Sequence, residues 1–263
     1  MIVTLWNTIL IHPTVNVLAL LHSLTGNLGI ALIIFTILVK IIVIPVTLPQ
    51  MKMAKKQREL QPELEKIKEK FKYDKKKIAE LQLELFKSHG INPASGCLTT
   101  VITLVLLIAV YNVVTIFTSG KDVSSLNQML YFPQLRFESL SQINTKFLYL
   151  DLTKPDPIFL IPVLASVLQI LTTKVMLPMS KDFKKQAQKS PEKEDDLMVA
   201  MQKQNMYLMP IMFFVIGLKL PSGAMLYILI STLLQIVQTV YFNGWGDLQP
   251  LITKIRNLAP KRI

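Results

Sequence analysis

The chain alternates long apolar runs with shorter polar stretches. The first clean run is 27–50, NLGIALIIFTILVKIIVIPVTLPQ. Its length matches the roughly 20 apolar residues that a helix needs to cross a bilayer's hydrocarbon core. Four further runs follow: 92–118, built on LTTVITLVLLIAVYNVVTIFT, then 157–178, 205–220 and 221–243. The pattern predicts an all-α polytopic membrane protein with five transmembrane helices. Pro157 and Pro162 fall at the start of the third helix, where proline disturbs least. Met206 to Leu218, the centre of the fourth, makes only about 20 Å of helix, and a short span thins the bilayer or tilts its neighbours. Pro221-Ser222-Gly223 predicts a tight turn into the fifth.

The intervening stretches are of other kinds. In 51–91 the apolar positions Leu60, Leu64, Ile67 and Phe71 are spaced 4, 3 and 4, and Ile78, Leu81 and Leu85 resume the rhythm after Tyr73-Asp74. This predicts two amphipathic helices in a hairpin, with Asp74 capping the second and Gly90 closing it. Each stripe is narrow, wide enough to zip one helix to the other. A plain solvated hairpin and a partner-docking arm fit equally. Residues 179–204 pass from Lys181, Lys184, Lys185 and Lys189 to an acidic cluster, Glu192, Glu194, Asp195 and Asp196, and read as mobile.

Residues 1–26 carry no Lys, Arg, Asp or Glu. They show neither a basic n-region nor a clear cleavage site. Pro13 and Asn16 interrupt the apolar pattern, so the segment reads as an amphipathic helix in the outer interface; an uncleaved first span is the alternative.

Composition agrees with a membrane protein. Of 263 residues 51% are hydrophobic, and the mean hydropathy is +0.42. Net charge is +12. In a soluble chain that would suggest DNA or RNA; here the lysines lie between apolar runs, which points to membrane orientation and anionic lipids, with no DNA partner. The hairpin, the 179–204 loop and the 244–263 tail are basic and belong in the cytoplasm. The 119–156 loop, with four basic and four acidic residues, belongs outside with the charge-free N-terminus. A single cysteine, Cys97, excludes an internal disulfide. Scattered His12, His22 and His89, with no nucleotide-binding or hydrolase motif, predict no metal, no cofactor and no catalytic residues.

The candidate chemistry centres on Lys40. At about 1.5 Å per residue it lies about 18 Å into the first span, past the middle of a core roughly 30 Å thick. An ammonium there costs several kcal/mol unless it meets water or a polar partner. Thr36, Lys40 and Thr47 share one helix face. Thr103 on the second helix, Gln169 and Thr172 on the third, and Gln235 and Gln238 on the fifth lie at the same depth, in the cytoplasmic half. Together they predict a polar groove open to the cytoplasm. Two blander readings stand beside it: Lys40 snorkels to the surface, and the glutamines and threonines are inter-helix glue.

The stretches GNLGIALIIFTILVKIIVIPVTLPQ, ELQPELEKIKEKFKYDKKKIAELQLELFKSHGINPASGCL, FLYLDLTKPDPIFLIPVL and MPIMFFVIGLKLPSGAMLYILISTLLQIVQ, in this order, resemble the YidC/Oxa/Alb family of membrane protein insertases. The resemblance covers nearly all of the chain from about residue 17. It implies five helices around a hydrophilic groove, a cytoplasmic hairpin, and insertion and chaperoning of membrane proteins without nucleotide hydrolysis. It implies the bacterial plasma membrane, nascent membrane-protein clients, and the ribosome and general secretion translocase as partners. The family's groove cation, usually arginine, falls on Lys40, and Cys97 matches a family position without assigned chemistry. Ile228 stands where tryptophan is usual and Thr232 where asparagine is usual. The usual proline and glutamine after Cys97-Leu98 are missing. With no large domain before the first span, the chain is expected to be a short form. The rival reading is a small channel or ion-coupled transporter, which would call for intramembrane Asp, Glu or His.

Overall fold

The computed structural model describes residues 2–71, 74–91, 95–118, 123–176, 207–249 and 253. It is predominantly helical. In chain order the helices are α1 (Ile2–Trp6), a π turn (Asn7–Ile11), α2 (His12–Thr25), α3 (Leu28–Glu59), α4 (Gln61–Lys70), α5 (Lys75–Ser88), α6 (Ser95–Thr118), α7 (Val123–Gln128), α8 (Leu160–Met176), α9 (Met209–Gly217) and α10 (Ser222–Asn243). A two-stranded hairpin, β1 (Lys146–Phe147) with β2 (Leu150–Asp151), sits in the loop before α8. Among the described residues, three helices are long and apolar enough to cross a membrane: Thr4–Thr25, Leu28–Glu59 and Ser222–Asn243. Leu104–Phe117 and Leu160–Met176 are shorter apolar helices.

The contacts define two compact units. One comprises Met1–Ile44, Thr100–Ser166 and Met212–Leu234; the other comprises Pro45–Thr99, Val167–Ile211 and Gln235–Ile263.

The first unit holds the larger core. Val15, Leu18 and Ala19 of α2, Leu28, Ala31, Leu32 and Phe35 of α3, Val110, Val113 and Val114 of α6, and Met225 to Ile228 of α10 are buried together. The N-terminal helix is not interrupted as the sequence suggested. A π turn lies immediately before Pro13, with the His12 N–H donating to the Asn7 carbonyl, and the helix continues through the proline. Asn16 is buried: its amide donates to the Met129 carbonyl at 2.8 Å and accepts from the Tyr131 N–H at 2.7 Å. Val17, Leu20 and Leu24 point outward.

The start of α3 is held by Asn27. Its side-chain oxygen accepts from the Gly29 and Ile30 N–H groups at 2.9 and 3.3 Å, satisfying donors that a helix start leaves open. Its amide donates to the Lys146 carbonyl at 2.8 Å. Gly29 faces the Phe147 ring so closely that a Cβ there would overlap it. Asp156, only 1% exposed, plays the same part for α8. It accepts from the Ile161 N–H at 2.7 Å, the Ile158 N–H at 3.1 Å and the Tyr149 hydroxyl at 3.1 Å. Burial, together with the bond to and charge of Asp156, pushes the Tyr149 phenol above its ordinary value, so it remains a donor through the neutral range. Ser222 opens α10 by donating its hydroxyl to the Asp151 carbonyl and its N–H to the Lys154 carbonyl, both at 2.7 Å.

In the second unit α3 runs on past Gln50 to Glu59 before the hairpin begins. Met51 to Glu59 is rich in good helix formers and has no glycine, so nothing stops the helix there. The hairpin α4–α5 buries Leu60, Leu64, Phe86 and Ile91, with Met53 and Leu85 packed against them. Asp74 caps α5 through the Lys77 N–H at 3.1 Å. Gly90, at φ +66, turns the chain out of it. The ammonium groups of Lys70 and Lys77 lie 5.6 and 5.4 Å from the centre of the Phe71 ring. In the fourth apolar run the described α-helix is Met209–Gly217, with Tyr207 and Leu208 in π conformation just before it. The 179–204 loop and the tail beyond Gln249, Thr253 excepted, lie outside the described residues.

Candidate functional site

Lys40, Thr36 and Thr103 fall in the first unit; Gln169, Thr172, Gln235 and Gln238 fall in the second. On α3, Thr36 is 1% exposed and donates its hydroxyl to the Leu32 carbonyl at 2.6 Å. Lys40 follows one turn later and is half-buried. Among the described residues no carboxylate forms an ion pair with it. The neighbouring Ile37, Leu38, Ile41 and Ile42 are exposed apolar side chains. Thr103 lies on α6, with its side chain, like that of Cys97, outside the described set.

In the second unit the polar groups are largely engaged. Gln238 donates its amide to the Thr47 hydroxyl at 3.0 Å, joining α10 to α3. Thr172 is buried and donates to the Leu168 carbonyl at 2.8 Å. Thr239 donates to the Gln235 carbonyl at 2.7 Å. Gln169 and Gln235 are half-buried.

Arg58 has a role that spacing did not reveal. Its guanidinium donates to the Val175 carbonyl in the last turn of α8 and, at 3.3 Å, to the Asn243 carbonyl at the end of α10. Asn243 in turn donates its amide to the Met51 carbonyl at 3.1 Å. Helix C-termini present unsatisfied carbonyls and partial negative charge, and a planar cation with several donors suits two of them at once. In the sequence Arg58 is one more base in a run of lysines, with nothing to set it apart.

A sequence model of the family described as 60Kd inner membrane protein matches residues 20–249. The membrane protein insertase YidC of Fusobacterium nucleatum subsp. nucleatum is 33% identical over 221 residues, covering 84% of this chain and 88% of that protein. The membrane protein insertase MisCA of Bacillus subtilis (strain 168) is 29% identical over 244 residues, 91% of this chain and 79% of that protein. YidC of Geobacter sulfurreducens is 28% identical over 90% of this chain, which spans only 38% of that longer relative. The crystal structure of an active YidC insertase with its first transmembrane domain resolved superposes with a TM-score of 0.58 at 27% identity, over 90% of this chain and 47% of that one.

Proposed function

The chain belongs to the 60Kd inner membrane protein family, and on that premise we propose that it is a membrane protein insertase and chaperone. It acts in the bacterial plasma membrane as a multi-pass protein, N-terminus outside and C-terminus in the cytoplasm. Its clients are nascent membrane proteins. Insertion proceeds without nucleotide hydrolysis and without a covalent step. Lys40 draws acidic residues of an incoming tail into a hydrophilic groove lined by Thr36, Thr103, Gln169, Thr172, Gln235 and Gln238. The client's apolar segment then moves sideways into lipid, driven by its own burial. The hairpin receives clients, delivered free or by the ribosome, and its lysines add attraction to anionic lipids or ribosomal RNA. The general secretion translocase is a further partner.

The observation that carries this reading is the half-buried Lys40 with no carboxylate partner among the described residues. A channel or ion-coupled transporter would place Asp, Glu or His in its spans; the five apolar runs contain none, and the buried His22 of the N-terminal helix accepts from the Asn144 N–H at 3.3 Å. The test is reconstitution in liposomes with a client carrying either an acidic or a neutralised tail. Lys40→Arg should insert both. Lys40→Gln should lose most insertion of the acidic client and little of the neutral one. Equal insertion of the acidic client by Lys40→Gln would sink the proposal.

A further inference from the structure

The β1–β2 hairpin and the turn before α8 share an apolar surface that the insertion reading leaves unused. Leu148, at the hairpin tip, is 85% exposed at φ 54, and Phe159, just before α8, is 47% exposed at φ 56. Both are left-handed backbone positions that large L-residues seldom take. Tyr149 and Ile158 are also exposed, at 43% and 62%. These residues are tied together. The Tyr149 hydroxyl bonds Asp156, and the Asp156 carboxylate also holds the Ile158 and Ile161 N–H groups. The hairpin tip is thereby fixed at the level where α8 begins. The exposed side of α8 carries the apolar surface onward through Leu160, Val163 and Leu164. Lys146 and Lys154 flank it, both exposed.

An apolar and aromatic tip flanked by lysines, continuous with the apolar face of a helix, has the chemistry of the membrane boundary. Acyl chains take the apolar groups and lysines reach phosphates. A water-facing loop gains nothing from four large exposed apolar side chains on two strained turns. We propose that Leu148, Tyr149, Ile158 and Phe159 form a wedge that embeds in the lipid interface and seats the outer end of α8. The proposal rests on α8 crossing the membrane.

The test uses the full chain with Cys97→Ser, carrying one cysteine at a time, labelled with an environment-sensitive fluorophore and reconstituted in phosphatidylcholine–phosphatidylglycerol vesicles that contain brominated lipids. Leu148→Cys, Ile158→Cys and Phe159→Cys report the wedge. All three positions are exposed, so the substitutions leave packing intact. Ser141→Cys reports the same loop in water, and Val163→Cys reports α8. Bromine should quench the three wedge positions at least half as strongly as Val163→Cys and leave Ser141→Cys near zero. Wedge positions as unquenched as Ser141→Cys, beside a quenched Val163→Cys, overturn the proposal and leave the surface for a protein partner. An unquenched Val163→Cys overturns the membrane crossing of α8, and the wedge with it.

Discussion

At the scale of single residues, the carboxylate of Asp156 and the guanidinium of Arg58 each close several open backbone groups. Asp156→Ala orphans the Ile161 N–H inside the protein, and an unsatisfied buried donor costs about 1–3 kcal/mol. The expected result is a lower unfolding midpoint in detergent, with Asp156→Asn, which keeps an acceptor, falling between. Arg58→Ala removes two charge-assisted bonds to helix ends and should cost about 1.5–3 kcal/mol. Arg58→Lys, a point donor, should recover only part. A midpoint unchanged in Arg58→Ala would show that the two carbonyls find water instead. Neither residue was legible as structural in the sequence. Their partners are backbone groups, and the Arg58 bonds bridge 117 and 185 residues. Lys40 stands out in the sequence as a charge in an apolar run, and the structure leaves it half-buried on α3. Gln238 meets Thr47, which shares a helix face with Lys40 by spacing; spacing orders residues on one helix and is blind to the helix opposite.

At the scale of elements, the close pairing of α3 with the β-hairpin and of α4 with α5 can be tested separately. Gly29→Ala forces its new methyl into the Phe147 ring; overpacking of this kind costs about 1–3 kcal/mol. Phe147→Ala should cost little more in a Gly29→Ala background than the methyl clash it relieves, so the double variant should be markedly better than the sum of the singles. Simple additivity would mean that the ring moves aside without cost. In the hairpin, Leu64 is 1% exposed, and Leu64→Ala should lose about 2–5 kcal/mol of local packing. Hydrogen exchange should then quicken in α4 and α5 and stay unchanged in 105–117. The hairpin and its Asp74 cap were legible from spacing and capping chemistry. Phe86 and Ile91 were not, because Phe86 sits one place off the 3-and-4 rhythm and Ile91 lies past the closing glycine. The N-terminal helix misled for a related reason. Pro13 and Asn16 look like breaks, whereas the π turn absorbs the proline and the 129–131 backbone satisfies the asparagine.

For the whole molecule, the helical architecture and family were legible in the order of apolar runs and motifs, because membrane burial writes itself into long stretches of sequence. Orientation makes a direct prediction: cysteines replacing Ser124 and Ser190, the latter outside the described residues, should react with an impermeant reagent from opposite sides of the membrane, Ser124 from outside. Reaction of both from one side would refute the alternating arrangement. The Arg58 clasp adds a consequence in time. Bacterial and other ribosomes extend chains at about 5–20 residues per second. The carbonyl of Asn243 is made 185 residues after Arg58, so roughly 10–40 s pass at that rate before both helix ends exist for the guanidinium to hold. Through that interval Arg58 has no Asn243 carbonyl to hold, and chains arrested before α10 should be cut near Arg58 by an added protease that spares the completed fold.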